Sequence, residues 1–133
     1  MKIEGECLCG KIAYEAHIDP AKASICNCTD CQTLSGSPFR ASVPARAEEF
    51  HIRRGEPKIY IKTAESGTKR AQGFCGDCGS PVYSSAAEDP ALYNLRLGMV
   101  KQRAQIPAHK QIWCNSALEW AQHIGDLPGT PKG

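Results

Sequence analysis

The stretch FCGDCGS, residues 74–80, holds two cysteines in a C-x-x-C pair that is followed directly by glycine. The segment GECLCGK, residues 5–11, repeats this form as a C-x-C pair, again with glycine after the second cysteine. Glycine reaches positive φ at little steric cost, so the backbone can turn its amides toward sulfur. Two such turns supply the four thiolates of a structural zinc site, and joining them closes a long loop. We therefore predict one closed site with the ligands Cys7, Cys9, Cys75 and Cys78.

A third cluster, CNCTDC at residues 26–31, places three more cysteines within six positions: Cys26, Cys28 and Cys31. Three protein ligands with one open position are the form of a catalytic zinc site. The cysteines lie at the start of a predicted helix, whose dipole and free amides favour thiolate over thiol. The sequence therefore predicts a second zinc, with room for a ligand from solution.

The remaining cysteine, Cys114, follows Trp113 in an apolar stretch, and we expect it to be buried and inert. The alternative is that it completes the triplet as a second structural site. Disulfides and an iron–sulfur cluster are further alternatives, opposed by the absence of a secretory signal and of a C-x2-C-x2-C run. The four histidines lie outside the clusters, so we expect them at the surface and not as ligands: His17, His51, His109 and His123.

Length and charge restrict the class of protein. With 133 residues the chain has the size of one domain, and we assign residues 1–125 to a zinc domain and residues 126–133, DLPGTPKG, to a flexible tail. The formal charge is +2 without a basic arm, so no nucleic-acid partner is expected. No apolar run suits a signal peptide or a membrane span, and we expect a soluble, cytoplasmic protein without a membrane partner. The oligomeric state is not predicted.

Short alternations of apolar and polar residues predict a mainly β fold, with small antiparallel sheets and one or two short helices. The alternation is clear at residues 39–43 and 93–97, and we expect residues 50–52 and 59–61 to form a hairpin. A final strand is expected at residues 111–114. Capping boxes at Thr29 and Ser116 predict one helix that ends at Gly36 and another at residues 117–123.

Five segments resemble, in order and spacing, the glutathione-dependent formaldehyde-activating enzyme family, which also includes centromere protein V: GECLCGKIAYE, CNCTDCQTLSGSPF, RGEPKIYI, GTKRAQGFCGDCGSPVY and IWCNSALEW. The resemblance extends from about Gly5 to Trp120. It implies an Mss4-like fold, small β-sheets around zinc, with two zinc ions per chain. The closed site then falls on the four paired cysteines, and the open, catalytic site on the triplet.

The resemblance also implies a reaction, the addition of glutathione to formaldehyde to give S-hydroxymethylglutathione, which is a carbon–sulfur lyase reaction in reverse. Glutathione and a small aldehyde would be the partners, and the rival interpretation is a zinc-stabilised binding module without activity. Two positions depart from the family pattern, because Asn27 and Gln111 stand where many relatives have histidine. They are expected to change hydrogen bonds around the ligands. A small anion near the open site could meet Ser35, Gly36 and Arg70, although each also fits an ordinary turn or surface.

Overall fold

The computed structural model describes residues 1–133. Its strands are β1 Lys2–Glu6, β2 Ala13–His17, β3 Ser24–Cys26, β4 Arg40–Arg46, β5 Phe50–Arg54, β6 Lys58–Thr63, β7 Lys69–Phe74, β8 Pro81–Ala86, β9 Leu92–Arg96 and β10 Lys110–Ile112. One α-helix, α1, spans Thr29–Ser35. Short 3₁₀ helices cover Pro20–Lys22, Ala47–Glu49, Leu97–Met99, Arg103–Gln105, Cys114–Ser116 and Glu119–Asp126.

The strands form two sheets, which confirms the predicted mainly β class. The smaller sheet has the order β1-β2-β5, and the larger has the order β10-β3-β4-β9-β8-β7-β6. All neighbours are antiparallel except β10, which pairs with β3 in parallel. The predicted hairpin of residues 50–52 and 59–61 is wrong, because β5 pairs with β2 and β6 pairs with β7. The turn between these strands passes the chain from one sheet to the other.

The core is built from the apolar side of the alternating strands. Val43 of β4 and Leu95 of β9 face each other in register and are fully buried. An aromatic group made of Tyr14, Phe50, Tyr83 and Tyr93 brings residues of both sheets together through edge-on and tilted ring contacts. Each fully buried aliphatic side chain stabilises the fold by about 1.5–3 kcal/mol. The opposite side of the large sheet is polar, and it forms the cleft described below.

Both predicted capping boxes are displaced from the observed helix starts. Helix α1 is capped by Cys28, whose Sγ accepts a hydrogen bond from the Cys31 amide, and it ends as predicted at Gly36. The second predicted helix is a 3₁₀ helix over Glu119–Asp126 with no side-chain cap. At the start of α1 the sulfur of Cys28 is the capping acceptor in place of the Thr29 hydroxyl. Ser116 lies in the Cys114–Ser116 3₁₀ helix and therefore does not cap the later helix.

No helix combines the length and the apolar character that crossing a bilayer would require. Residues 127–133 are exposed and follow the last 3₁₀ helix without forming a further element.

Candidate metal centres and the basic cleft

The four paired cysteines come together, as predicted. Cys7 and Cys9 lie in the turn after β1, Cys75 and Cys78 lie in the turn after β7, and their sulfur atoms are all within 4.8 Å of one another. Cys9 Sγ is 3.7 Å from the Sγ atoms of both Cys7 and Cys75. Sulfurs at the corners of a tetrahedron with metal–sulfur bonds of about 2.3 Å are roughly 3.8 Å apart. The cluster therefore has the spacing to hold a metal ion.

The backbone of both turns supports these sulfurs. The predicted positive φ is confirmed at Gly10, with 80°, and at Gly79, with 79°. The Ile12 amide donates to Cys7 Sγ at 3.2 Å, so one backbone donor already faces sulfur. Hydrogen bonds from the side chain and backbone of Ser80 lower the pKa of Cys78 to about 5. These hydrogen bonds stabilise the thiolate of Cys78, the form that binds metal.

The two turns are also linked directly. Ser80 Oγ accepts a hydrogen bond from the Leu8 amide at 3.1 Å and contacts Cys78 Sγ at 3.2 Å. One hydroxyl therefore connects the small sheet with the large one beside the cysteine cluster.

The triplet also forms a cluster of its own. Cys26 ends β3, Cys28 caps α1 and Cys31 lies in the first turn of that helix, with their sulfurs within 4.8 Å of one another. All three are half-buried. Burial acts to raise the pKa of Cys31, but the hydrogen bond and the charge of Arg40 outweigh it and lower that pKa. The cluster can hold a metal ion through three cysteines.

Cys114 is not part of either cluster, and the prediction that it is buried is wrong. The short strand β10 ends before it, and Trp113 adopts a left-handed conformation with φ 57°. This turn places Cys114 in an exposed 3₁₀ helix. The sequence suggested burial because the apolar run at residues 112–114 resembles an interior strand.

The triplet borders a cleft of about 830 Å³. Its floor is the polar side of the large sheet, where the pleat brings alternate residues of neighbouring strands onto one face. The lining from the sheet consists of Ser24, Cys26, Arg40, Ser42, Lys62, Arg70, Gln72, Ser84, Asn94, Arg96 and Ile112. Helix α1, the loop after β6 and the segment after β10 form the walls with Thr29, Asp30, Glu65 and Trp113. None of the four paired cysteines lines this cleft.

Sequence reasoning missed the two arginines of the floor. Arg40 and Arg96 are only 7% and 8% exposed, and Arg40 Nη2 lies 3.8 Å from Cys31 Sγ. Arg96 donates to Ser42 Oγ at 2.7 Å and to Gln72 Oε1 at 3.0 Å. A signal was present, because arginine alternates with apolar residues in the strands that also supply Val43 and Leu95.

The suggested anion ligands are divided by the fold. Arg70 lines the cleft, where it pairs in register with Lys62, and Lys62 Nζ lies 2.7 Å from Asp30 Oδ2. Ser35 lines a second cleft, and Gly36 is exposed at the end of α1. Of the three suggested residues, the structure brings only Arg70 to the triplet.

Asn27 and Gln111, where the family resemblance leads us to expect histidine, are in contact with each other. Asn27 is buried, and its Nδ2 donates to Gln111 Oε1 at 3.2 Å and to the Ile112 carbonyl at 3.1 Å. Gln32 Nε2 in turn donates to the Asn27 and Ser116 carbonyls. These bonds fix the turn between Cys26 and Cys28. The four histidines are exposed, as predicted, and lie outside both clusters.

Comparison with known proteins agrees with the fold. A crystal structure of a Rhodobacter sphaeroides protein has the same fold, with a TM-score of 0.62 and 19% identity over 81% of this chain and 98% of that one. An uncharacterized lyase of Schizosaccharomyces pombe is 31% identical over 84 residues, 60% of this chain and 55% of the relative. The chain thus spans about half of that relative's length. The sequence profile of the glutathione-dependent formaldehyde-activating enzymes matches residues 2–116, and the chain belongs to this family.

Proposed function

We propose that the chain is a zinc-dependent enzyme of the carbon–sulfur lyase type that forms and cleaves adducts of glutathione with a small aldehyde. The observation that carries this proposal is the placement of the triplet, whose three half-buried thiols line a cleft that the other four cysteines do not reach. Family membership supports glutathione and formaldehyde as the substrate pair. The lyase name of the yeast relative supports the reaction class.

The donor sets of both clusters fit zinc, because thiolates without other ligands select soft or borderline metals and zinc prefers four of them in a tetrahedron. We assign a structural zinc to Cys7, Cys9, Cys75 and Cys78, and a catalytic zinc to Cys26, Cys28 and Cys31. When bound by the triplet, zinc would supply a Lewis acid and favour the thiolate form of a substrate thiol.

The residues of the chain would bind and orient the substrate. Glutathione carries two carboxylates, and Arg70 offers a cationic partner for one of them in the cleft, whereas Lys62 is paired with Asp30. In the forward reaction the sulfur–carbon bond forms, the carbonyl π bond breaks, and the proton of the thiol moves to the new hydroxyl oxygen. Thiols add to formaldehyde readily in water, so the protein contributes mainly by holding sulfur and carbonyl carbon in reacting geometry.

The proposal is tested by binding followed by turnover. Glutathione is titrated into zinc-loaded protein in a calorimeter, and the exchange between formaldehyde, glutathione and adduct is then followed by NMR. We expect saturable binding and an exchange rate above the uncatalysed rate. Cys28→Ser should lose both, whereas Cys114→Ser, the matched control outside the clusters, should keep both. Binding without rate enhancement, or no binding, would leave a zinc-stabilised binding module as the better description.

A further inference from the structure

The floor of the cleft contains two buried positive charges that no carboxylate neutralises. Arg40 and Arg96 are more than nine-tenths buried, and neither pairs with a carboxylate, although Arg40 faces the sulfur of Cys31. The partners of Arg96 are the neutral groups of Ser42 and Gln72. The Nε atoms of both arginines are buried and have no hydrogen-bond partner. Each guanidinium therefore keeps donor capacity unused.

Such an arrangement is costly unless an anion completes it. Charged groups are seldom buried without a partner, and two like charges on adjacent strands add repulsion. Burial first, and then the charge of Arg40, lower the pKa of Arg96 to about 9, so it is still a cation at neutral pH. Three thiolates with one divalent ion carry one negative charge, which offsets only one of the two arginines. A substrate thiolate on the ion would offset the other charge, but it would leave the buried Nε donors of both arginines without a hydrogen-bond partner.

The position of the arginines limits which anion fits. Cys26 pairs with Arg40 in the register of β3 and β4, and Ser42 pairs with Arg96 in the register of β4 and β9. Neighbouring strands are about 4.8 Å apart, so an anion held by the two guanidiniums lies beside the reacting sulfur. The carboxylates of glutathione are separated from its sulfur by peptide units. A closer match is a carboxylate on the very carbon that becomes bonded to sulfur.

We propose that Arg40 and Arg96 bind the carboxylate of the aldehyde component, so that the preferred carbonyl substrate is a 2-oxo acid of the glyoxylate class. This inference rests on the proposed thiol-adduct function and specifies its second substrate. Glutathione adds across the aldehyde of glyoxylate, the sulfur–carbon bond forms, and the thiol proton moves to the new hydroxyl. The product carries its carboxylate next to the sulfur, where the planar guanidinium fork can bind both oxygens.

The arginine pair is also reached from a second direction. A cleft of about 600 Å³, lined in part by Phe39, Met99 and Arg103, borders both Arg40 and Arg96. A small acid could therefore reach the guanidiniums while the tripeptide occupies the larger cleft.

The test compares two unreactive probes that differ in one carboxylate. S-carboxymethylglutathione resembles the glyoxylate adduct, and S-methylglutathione lacks the extra carboxylate. Calorimetry with the zinc-loaded protein should give at least tenfold tighter binding of the carboxymethyl probe. In Arg96→Gln this preference should disappear, while the affinity for S-methylglutathione stays within about twofold. The matched control is Arg46→Gln, an exposed arginine of the same strand as Arg40, which should keep the full preference.

The outcomes separate the two proposals. Equal binding of both probes by the unaltered protein would overturn the carboxylate site and leave the proposed glutathione function standing. Binding of neither probe, with glutathione itself still binding, would overturn the carboxylate site alone, and absence of glutathione binding as well would overturn both. A preference that persists in Arg96→Gln would also refute the inference, and Arg96→Lys, which keeps the charge and the approximate size, serves if Arg96→Gln does not fold. Arg96→Lys should retain only part of the preference, because lysine lacks the planar fork.

Discussion

Removal of one ligand from each cysteine cluster should affect stability very differently. Cys9 and Cys75 are 66 residues apart in sequence, and Cys75 is only 1% exposed. Serine is a poor zinc ligand, so we expect Cys75→Ser to lose its metal and with it the link between β1–β2 and β7–β8. By the chain-entropy relation for a cross-link of this length, the loss is about 4 kcal/mol.

The triplet spans a much shorter loop. Cys26 and Cys31 are separated by only four residues, for which the same relation gives about 2 kcal/mol. One kcal/mol corresponds to roughly 4 °C in Tm for a domain of this size. Cys75→Ser should therefore lower Tm by about 16 °C, and Cys28→Ser by about 8 °C at most.

Thermal unfolding followed by circular dichroism, together with zinc content by mass spectrometry, measures both effects. Each variant should lose about one zinc per chain, and the control Cys114→Ser should lose none and keep its Tm. If Cys28→Ser lowers Tm as much as Cys75→Ser, the triplet is structural and the argument for an open site fails. Loss of zinc from Cys114→Ser would make Cys114 a ligand and have the same consequence.

Two bound zinc ions and seven thiolates change the formal charge from +2 to −1, so the native isoelectric point should fall clearly below the sequence value of 8.1. On acidification the triplet should release metal first, because it offers three cysteines where the closed site offers four; release in one step, measured with a chromogenic chelator, would contradict this order. Asn27→Ala and Gln111→Ala should destabilise the fold non-additively, with a coupling of about 0.5–1 kcal/mol in a double-mutant cycle, and additive effects would show that their hydrogen bond is not formed in solution.

The cysteine clusters could be predicted from the sequence because their geometry is mostly local. A C-x-C or C-x-x-C turn brings two sulfurs together regardless of the rest of the fold, and glycine at positions 10 and 79 marks the positive φ of such turns. That the two distant turns share one site followed only from the four ligands that a structural zinc requires. The mainly β class followed from the two-residue period for the same local reason.

The cleft could not be predicted, because it depends on which strands become neighbours. The apolar residues of each strand point to the core in any pairing, but the polar residues form a site only when β4, β9, β8 and β7 lie side by side. Arg40 and Arg96 are separated by 55 intervening residues in the sequence and by one strand spacing in the sheet. The error at Cys114 has a related cause, since its exposure depends on the left-handed turn at Trp113.

The contact between Asn27 and Gln111 joins the two positions at which the family resemblance leads us to expect histidine. The residues are far apart in sequence, yet their side-chain amides share a hydrogen bond beside the triplet. An imidazole at either place can gain or lose a proton, and its charge would alter the hydrogen bonds that orient Cys26 and Cys28. Amides do not titrate, so the buried Asn27 keeps the same donors at every pH. The turn that carries the triplet is therefore held by groups whose hydrogen bonding does not depend on protonation.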